Sequence, residues 1–220
     1  MALNQFVTDI ICTGIDAASV CAAALIGVGG LKKIAKKSLD TYFCNYADKK
    51  HDLEELLRKA TSSITVVAAY GDRLLEEYAS DMEACLARGI KIRYLMLTED
   101  MAEELNETVL KVKKEGTKAD VYKVHVKLQD MKRKGDLEVR EWDKMLTASY
   151  IGIDLDTYRH AQDALIQVML YQYKTEAKYS PITYLSYKNN RDQFSTTANA
   201  IEKMWSDAKP LCEKPAYRSV

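Results

Sequence analysis

Two hydrophobic periods alternate along the chain after residue 50. One repeats apolar positions every three to four residues and predicts amphipathic helices, and the other is a short β-branched apolar run that predicts buried strands. The helical period covers 52–60, 72–88, 99–115, 119–134 and 191–208, and the strand pattern covers 64–69, 90–97, 137–142, 147–153, 164–173 and 182–187. The first strand, helix and second strand form a βαβ unit with parallel strands, so we predict an α/β fold.

Residues 1–31 follow a different pattern, apolar and without Lys or Arg, and four lysines lie within the next six residues. The 22 residues from Ile10 to Leu31 are long enough to cross the hydrocarbon of a bilayer, which is about 30 Å thick. Polar positions in the segment recur at alternating spacings of four and three, which places them on one helical face. This polar seam consists of Gln5, Asp9, Cys12, Asp16, Ser19 and Ala23.

Three arrangements of this segment stay open. In the first, several copies assemble with the seam inward around a pore or a hydrated core, because carboxylates on an apolar helix need water or partners. In the second, residues 2–15 lie in the membrane interface and only 17–31 enter the bilayer. In the third, the helix packs on protein. The lysines that follow predict a single-pass protein of the inner or plasma membrane with a cytoplasmic head.

Composition divides the chain into four parts. We predict a transmembrane helix with a basic flank (1–37), a linker helix (38–51), a globular domain (52–210) and a tail (211–220).

Charge and residue spacing argue against several kinds of partner. Lys plus Arg and Asp plus Glu both number 32, so the net charge gives no reason to expect DNA as a partner. The five cysteines and three histidines show no metal-ligand spacing, so we expect no disulfide framework, no metal and no cofactor.

Four short stretches between 52 and 209 carry a resemblance to a known family. They are the helix end Ala60–Ser63 before the first strand, Leu86–Leu95, Leu137–Trp142, and Ser180–Ser186 with the final helix that ends at Pro210. In these stretches the chain resembles the phospholipase D superfamily, in its single-domain prokaryotic form. The resemblance implies a mixed sheet sandwiched by helices, here preceded by the long apolar helix. The plan is also similar to that of zucchini-type nucleases, which join a membrane helix to one such domain and work as homodimers.

The catalytic motif of that superfamily, HxKxxxxD, aligns with Thr147, Ser149 and Asp154 of this chain. In the family the His attacks phosphorus and the Lys binds the phosphate. This chain has Thr147 and Ser149 at those two positions, so only Asp154 matches the motif. A Thr hydroxyl with no base and no cationic clamp beside it does not replace them. The resemblance therefore implies a pseudo-enzyme without catalytic residues. A second HxK, at 125–127, is followed by Lys132 where the motif needs Asp, and we do not assign it.

The βα turn after the first strand is the candidate ligand site that physical chemistry favours. Gly71 lets a ligand approach the backbone, the following helix offers free N–H groups, and Arg73 adds a positive charge. An ordinary βα loop is the alternative. Thr98 follows the second strand at the same sheet edge and is more simply explained as a helix cap. The predicted ligand-binding residues are Tyr70, Gly71, Asp72, Arg73, Thr98, Thr147, Ser149 and Asp154.

We expect a membrane-anchored, non-enzymatic sensor or effector. Its head binds a ligand or partner, and its N-terminal helices assemble in the membrane as a dimer or higher homo-oligomer, of which a pore in antiviral defence is one concrete form. A second hypothesis is a CARF-like Rossmann sensor, since the first βαβ unit is common to both folds. That reading implies a membrane effector gated by a cyclic oligonucleotide, with a nucleotide second messenger as its ligand. A third hypothesis is a membrane-attached phosphodiesterase or nuclease relic.

Overall fold

A computed structural model describes residues 44–45, 50–110, 116–158, 164–175 and 179–211. The predicted membrane span and its polar seam fall within residues 1–43 and lie outside the described residues, as does the tail after Leu211. None of the described helices combines the length and the hydropathy that a membrane crossing requires.

The described residues form one sheet and the helices that cover it. The strands are β1 (Cys44–Asn45), β2 (Ser63–Ala68), β3 (Lys91–Leu97), β4 (Leu137–Trp142), β5 (Ala148–Ile153), β6 (Leu165–Leu170), β7 (Pro181–Ser186) and β8 (Lys209–Pro210). The helices are α1 (Lys50–Lys59), α2 (Asp72–Ala87), α3 (Glu99–Leu105, continued by a π-helical turn over Asn106–Leu110), α4 (Thr117–Lys132) and α5 (Arg191–Asp207).

The sheet is mixed and has the strand order β1-β7-β6-β5-β2-β3-β4-β8. β2, β3 and β4 are parallel neighbours, which confirms the predicted βαβ unit, and the other pairings are antiparallel. β5 runs antiparallel to β2, with Tyr150 opposite Val67 and Ile153 opposite Ile64. Ser149 and Asp154 therefore lie at opposite ends of the sheet, although only five positions separate them in the sequence.

Helices cover both faces of the sheet, as predicted. Successive residues of a strand point to opposite faces. On β3, Arg93 contacts Glu202 of α5 through a 2.9 Å hydrogen bond, whereas its neighbour Tyr94 donates to the carbonyl of Tyr70 in the turn before α2. Because β2 lies between these two layers, all six of its residues are buried.

The apolar faces of α2 and α5 supply much of the core. The side chains that point inward from α2 include Leu75, Tyr78, Met82, Cys85 and Leu86, and those from α5 include Phe194, Ala198, Ile201 and Trp205. The helical period predicts all of these positions. Leu74 and Met204, which the same period places inward, are only half-buried and pack against the edge of the core.

Three local predictions are wrong. The polar side chain of Asp72 after the glycine predicts Asp72 as the N-cap of α2, but the N-cap is Gly71 and Asp72 is the first residue of the helix. β6 ends at Leu170, so Tyr171, which the pattern assigns to the strand, leaves the sheet. Cys44–Asn45 pairs with β7 as a short strand, inside the stretch 38–51 that is predicted as a linker helix.

Candidate ligand-binding cavity

A cavity of about 130 Å³ lies at the carboxyl end of β2, where the turn into α2 meets β5 and β6. Ligands of open α/β sheets commonly bind at this end of the strands. The wall is mostly apolar and includes Val66, Ala68, Leu74, Leu110, Ile151 and Met169. A cavity of about 150 Å³ in another protein holds benzene, so this one has room for a single ring or a few water molecules.

Gly71 shapes the floor of the cavity. Its φ of +76° is in the left-handed region that favours glycine, and a Cβ atom added there would lie 1.9 Å from the hydroxyl oxygen of Tyr94. Tyr94 is fully buried, and its hydroxyl donates to the carbonyl of Tyr70 at 3.2 Å. Burial raises the pKa of Tyr94, so this hydroxyl stays neutral and acts as a donor.

The first turn of α2 faces the cavity without a strong positive charge. Gly71 has no side chain to cap the helix, and the next three residues, 72–74, line the cavity. Arg73 does not extend freely toward the cavity, because its Nε donates to Oε1 of Glu77 at 3.0 Å. Asp72 brings a carboxylate to the same turn. The positive charge that the sequence predicts for a ligand is therefore balanced by neighbouring acids.

Two hydroxyl groups form the polar wall of the cavity. Ser149 on β5 donates to the hydroxyl oxygen of Tyr171 at 2.7 Å, and the N–H of Ala69 donates to the same oxygen at 3.1 Å. Burial raises the pKa of Tyr171 to about 12, and the hydrogen bonds from Ser149 and Ala69 only partly oppose this shift. Tyr171 is thus a neutral phenol, held in place by Ser149 of β5 and by the backbone N–H of Ala69 just after β2.

Gln167 is the third polar group of the wall, and it lies in the middle of β6. It is 4% exposed, and its Oε1 has no hydrogen-bond partner among the described residues. A buried amide oxygen without a partner is costly, so an unpaired one in a cavity wall marks a position where a ligand or water can bind. No sequence motif predicts a role for Gln167; its one signal is a glutamine in the otherwise apolar strand Leu165–Leu170.

The structure brings five of the eight predicted ligand-binding residues to this cavity, namely Tyr70, Gly71, Asp72, Arg73 and Ser149. The other three lie elsewhere. Thr98 occupies the N-cap position of α3, where its side chain makes no capping hydrogen bond. Thr147 is exposed just before β5, where its side chain hydrogen-bonds Tyr150.

Asp154 lies at the other end of β5 and binds the protein's own backbone. It is 5% exposed and has a φ of +57°. Its carboxylate accepts hydrogen bonds from three backbone N–H groups, of Thr61, Ser62 and Ser63, and from two hydroxyls, of Thr61 and Ser62. Burial alone would raise the pKa of Asp154, but these hydrogen bonds outweigh it and lower the pKa below the ordinary aspartate value. The residue therefore fixes the chain before β2 to the end of β5.

The second HxK sequence lies on α4, away from the cavity. His125 is buried, with its Nε2 3.7 Å from Oε1 of Glu141 on β4. Lys127 donates to the carbonyl of Leu75 at 3.0 Å. These two side chains thus hold α4 against β4 and α2.

Solved structures with a similar fold have little sequence in common with this chain. TrmBL2, an archaeal chromatin protein whose structure shows a novel mode of DNA binding, is 16% identical (TM-score 0.48; 95% of this chain and 69% of that chain). NucT from Helicobacter pylori is 10% identical (TM-score 0.45; 76% and 92%). Phosphatidylserine synthase from Haemophilus influenzae Rd KW20 is 13% identical (TM-score 0.47; 72% and 36%). No protein-family model and no curated protein matches the sequence.

NucT and the synthase are phospholipase D-like proteins. All three identities lie below 25% and all three TM-scores lie below 0.5. These likenesses therefore carry no conclusion about activity, substrate or partner.

Proposed function

We propose that residues 52–210 form a phospholipase D-like domain that binds a ligand without catalysing a reaction, and that residues 1–31 hold this domain at a membrane. The observation that carries the first half is the position of Ser149. It stands where the family motif has its phosphate-binding Lys, and its hydroxyl is bonded to Tyr171 in the wall of a ligand-sized cavity. Where the family motif has a cation, this chain thus has an uncharged hydroxyl group in the wall of the cavity.

The chemistry of the cavity supports binding over phosphoryl transfer. A phosphodiesterase of this type needs an activated nucleophile and a cation that stabilises the charge developing in the transition state. Of the described residues that line the cavity, none is a His or a Lys, and Arg73 is paired with Glu77. Thr147, at the position of the nucleophile, is exposed, and its side chain hydrogen-bonds the Tyr150 hydroxyl.

We predict that the full-length protein does not hydrolyse bis(p-nitrophenyl) phosphate, so that p-nitrophenol appears no faster than in buffer. The physical reason is that the described lining of the cavity contains no His or Lys and that its arginine, Arg73, is paired with Glu77. The measurement is absorbance of p-nitrophenolate over several hours. The Ser149→Ala and Thr147→Ala variants serve as matched controls, with folding checked by circular dichroism.

A phosphodiesterase relic is the second candidate, and one observation favours it. Asp154 keeps the motif's spacing from Thr147 and Ser149, in a strand that also lines the cavity. Turnover by the wild-type protein that disappears in Ser149→Ala or Thr147→Ala would establish the relic and overturn the non-catalytic proposal.

A CARF-like sensor is less favoured by the fold. In a doubly wound Rossmann sheet the neighbours of the first strand are parallel, whereas β5 runs antiparallel to β2 here. The cavity of about 130 Å³ is also smaller than the roughly 300–1,000 Å³ of pockets that enclose drug-sized ligands. A cyclic oligonucleotide would not fit inside it.

The membrane half of the proposal rests on the N-terminal sequence, an apolar segment of 31 residues without Lys or Arg followed by Lys32–Lys37. We expect the full-length chain to stay in the membrane pellet after carbonate extraction, while a chain that starts at Lys32 is released. Release of both would mean that the segment packs on protein, and the anchor would be excluded. Retention of both would place the membrane affinity in the head.

A further inference from the structure

The described residues around the cavity do not favour an anion, although α2 points its amino end toward it. A helix amino end carries about half an elementary positive charge. Asp72 places a full negative charge in that same first turn, and the guanidinium of Arg73 is engaged with Glu77. A phosphate or carboxylate would lose its hydration in a mostly apolar cavity and meet no unpaired cation among the lining residues that the structure describes.

The polar wall offers one hydrogen-bond donor to a ligand. The hydroxyls of Ser149 and Tyr171 carry two hydrogens, and their mutual bond uses one of them. The N–H of Ala69 donates to the Tyr171 oxygen, so this bond uses a lone pair of that oxygen and no hydroxyl hydrogen. One hydroxyl hydrogen is therefore left to donate, whichever of the two groups donates in the bond between them.

The wall also offers one acceptor. Gln167 is 4% exposed, lines the cavity, and has an amide oxygen without a partner among the described residues. Ser149 and Gln167 lie on adjacent strands, in a register where Ser149 pairs with Met169 and Ile151 pairs with Gln167, so both side chains are on the same face of the sheet. A ligand that both accepts and donates a hydrogen bond would satisfy the two groups together.

We infer that the cavity recognises a small uncharged molecule, about the size of one six-membered ring, that carries an amide-like pair of hydrogen-bond acceptor and donor. This inference rests on the proposed binding function and names the ligand class for that same site. The apolar wall contacts the ring of the ligand. The unused hydroxyl hydrogen is donated to the acceptor of the ligand, and the amide oxygen of Gln167 accepts from its donor. The unused donor and the unused acceptor of the cavity are then both paired without a charge being buried.

Two probes of the same shape test the charge preference. 4-Fluorobenzamide is neutral and has both an acceptor and a donor, whereas 4-fluorobenzoate is an anion of nearly the same size. Each is titrated against the full-length protein and followed by the line width of its ¹⁹F signal. We expect the amide to bind with a dissociation constant on the order of 1 mM, which suits so small a ligand. The benzoate should bind at least tenfold more weakly, and inorganic phosphate should not displace the amide.

Variants locate the binding and separate it from folding. Ala68→Leu fills the cavity and should abolish binding of the amide. The double variant Ser149→Ala/Tyr171→Phe removes both hydroxyls and hence the donor, and Gln167→Leu removes the acceptor at nearly constant shape; each should weaken binding about tenfold. Tyr173→Phe is the matched control, because Tyr173 is 61% exposed and does not line the cavity, and it should bind like the wild type. Circular dichroism of each variant confirms that it is folded.

The outcomes distinguish this inference from the proposed function. Tighter binding of the benzoate, abolished by Ala68→Leu, would overturn the uncharged ligand class and leave a binding cavity in place. Binding of the amide that survives Ala68→Leu, or no binding of either probe, would overturn the inference because the cavity would not be the recognition site. Hydrolysis of bis(p-nitrophenyl) phosphate would instead overturn the non-catalytic function, whichever probe binds.

Discussion

Replacing Asp154 with alanine is expected to lower the free energy of unfolding by about 3 kcal/mol or more. The substitution leaves five donors, on Thr61, Ser62 and Ser63, without their common acceptor at a buried position. The backbone at this position has a φ of +57°, in the left-handed region, which aspartate tolerates better than alanine does. Urea unfolding of the full-length protein, followed by circular dichroism, measures the loss.

Asp154→Asn is the matched control for this prediction. Asparagine tolerates the left-handed backbone and keeps one acceptor oxygen, but it loses the charge that makes these hydrogen bonds strong. We expect it to cost about 1–2 kcal/mol, between the wild type and Asp154→Ala. If both variants unfold within about 0.5 kcal/mol of the wild type, Asp154 does not fix the end of β5 to the chain before β2.

The lowered pKa of Asp154 gives the same prediction a pH dependence. A carboxyl whose pKa is lower in the folded state adds stability that is fully present above its unfolded pKa of about 3.9. That stability is lost as the pH falls through the lower, folded pKa. The difference in unfolding free energy between wild type and Asp154→Ala should therefore be constant above about pH 5 and shrink as the pH falls below about 4. A difference that grows on acidification would contradict the assignment.

Gly71→Ala is expected to cost about 3 kcal/mol, for two separate reasons. A non-glycine residue at a φ of +76° costs roughly 1–2 kcal/mol. The new Cβ atom would also lie 1.9 Å from the Tyr94 hydroxyl oxygen, so that side chain or the turn must shift, which costs roughly 1–3 kcal/mol. The free energy of unfolding from urea titration measures the sum.

Two further variants separate the two causes. Gly89 has a φ of +81° and open space around it, so Gly89→Ala should show the backbone cost alone, about 1 kcal/mol. Tyr94→Phe removes the hydroxyl that the new Cβ atom would meet, so Gly71→Ala should cost less in that background than in the wild type. A coupling energy near zero in this double-mutant cycle would mean that the close approach to Tyr94 does not matter.

Local patterns predicted the parts of this protein that depend on neighbours in sequence. The period of α2 and the β-branched runs of β2 and β3 predicted a parallel βαβ unit, and the Gly71 turn followed from the glycine between them. These inferences succeeded because the side-chain period of a helix or strand and the φ of a glycine turn are set within a few residues. Motif spacing failed for Asp154, because the motif treats as one unit residues that lie at opposite ends of the same strand.

The sequence by itself determined the α/β elements, the presence of Thr147 and Ser149 where the motif that it resembles has His and Lys, and the apolar segment before Lys32. Only the tertiary structure decided which polar groups meet. Tyr171 bonds Ser149, and Gln167 shares the face of Ser149, because β6 pairs antiparallel with β5 in one register. Ala69 reaches Tyr171 because β5 also pairs with β2. Strand pairing joins residues far apart in the chain, and a shift of one residue would turn Gln167 to the other face of the sheet. The composition of the cavity wall is therefore a property of the sheet register, which no local pattern encodes.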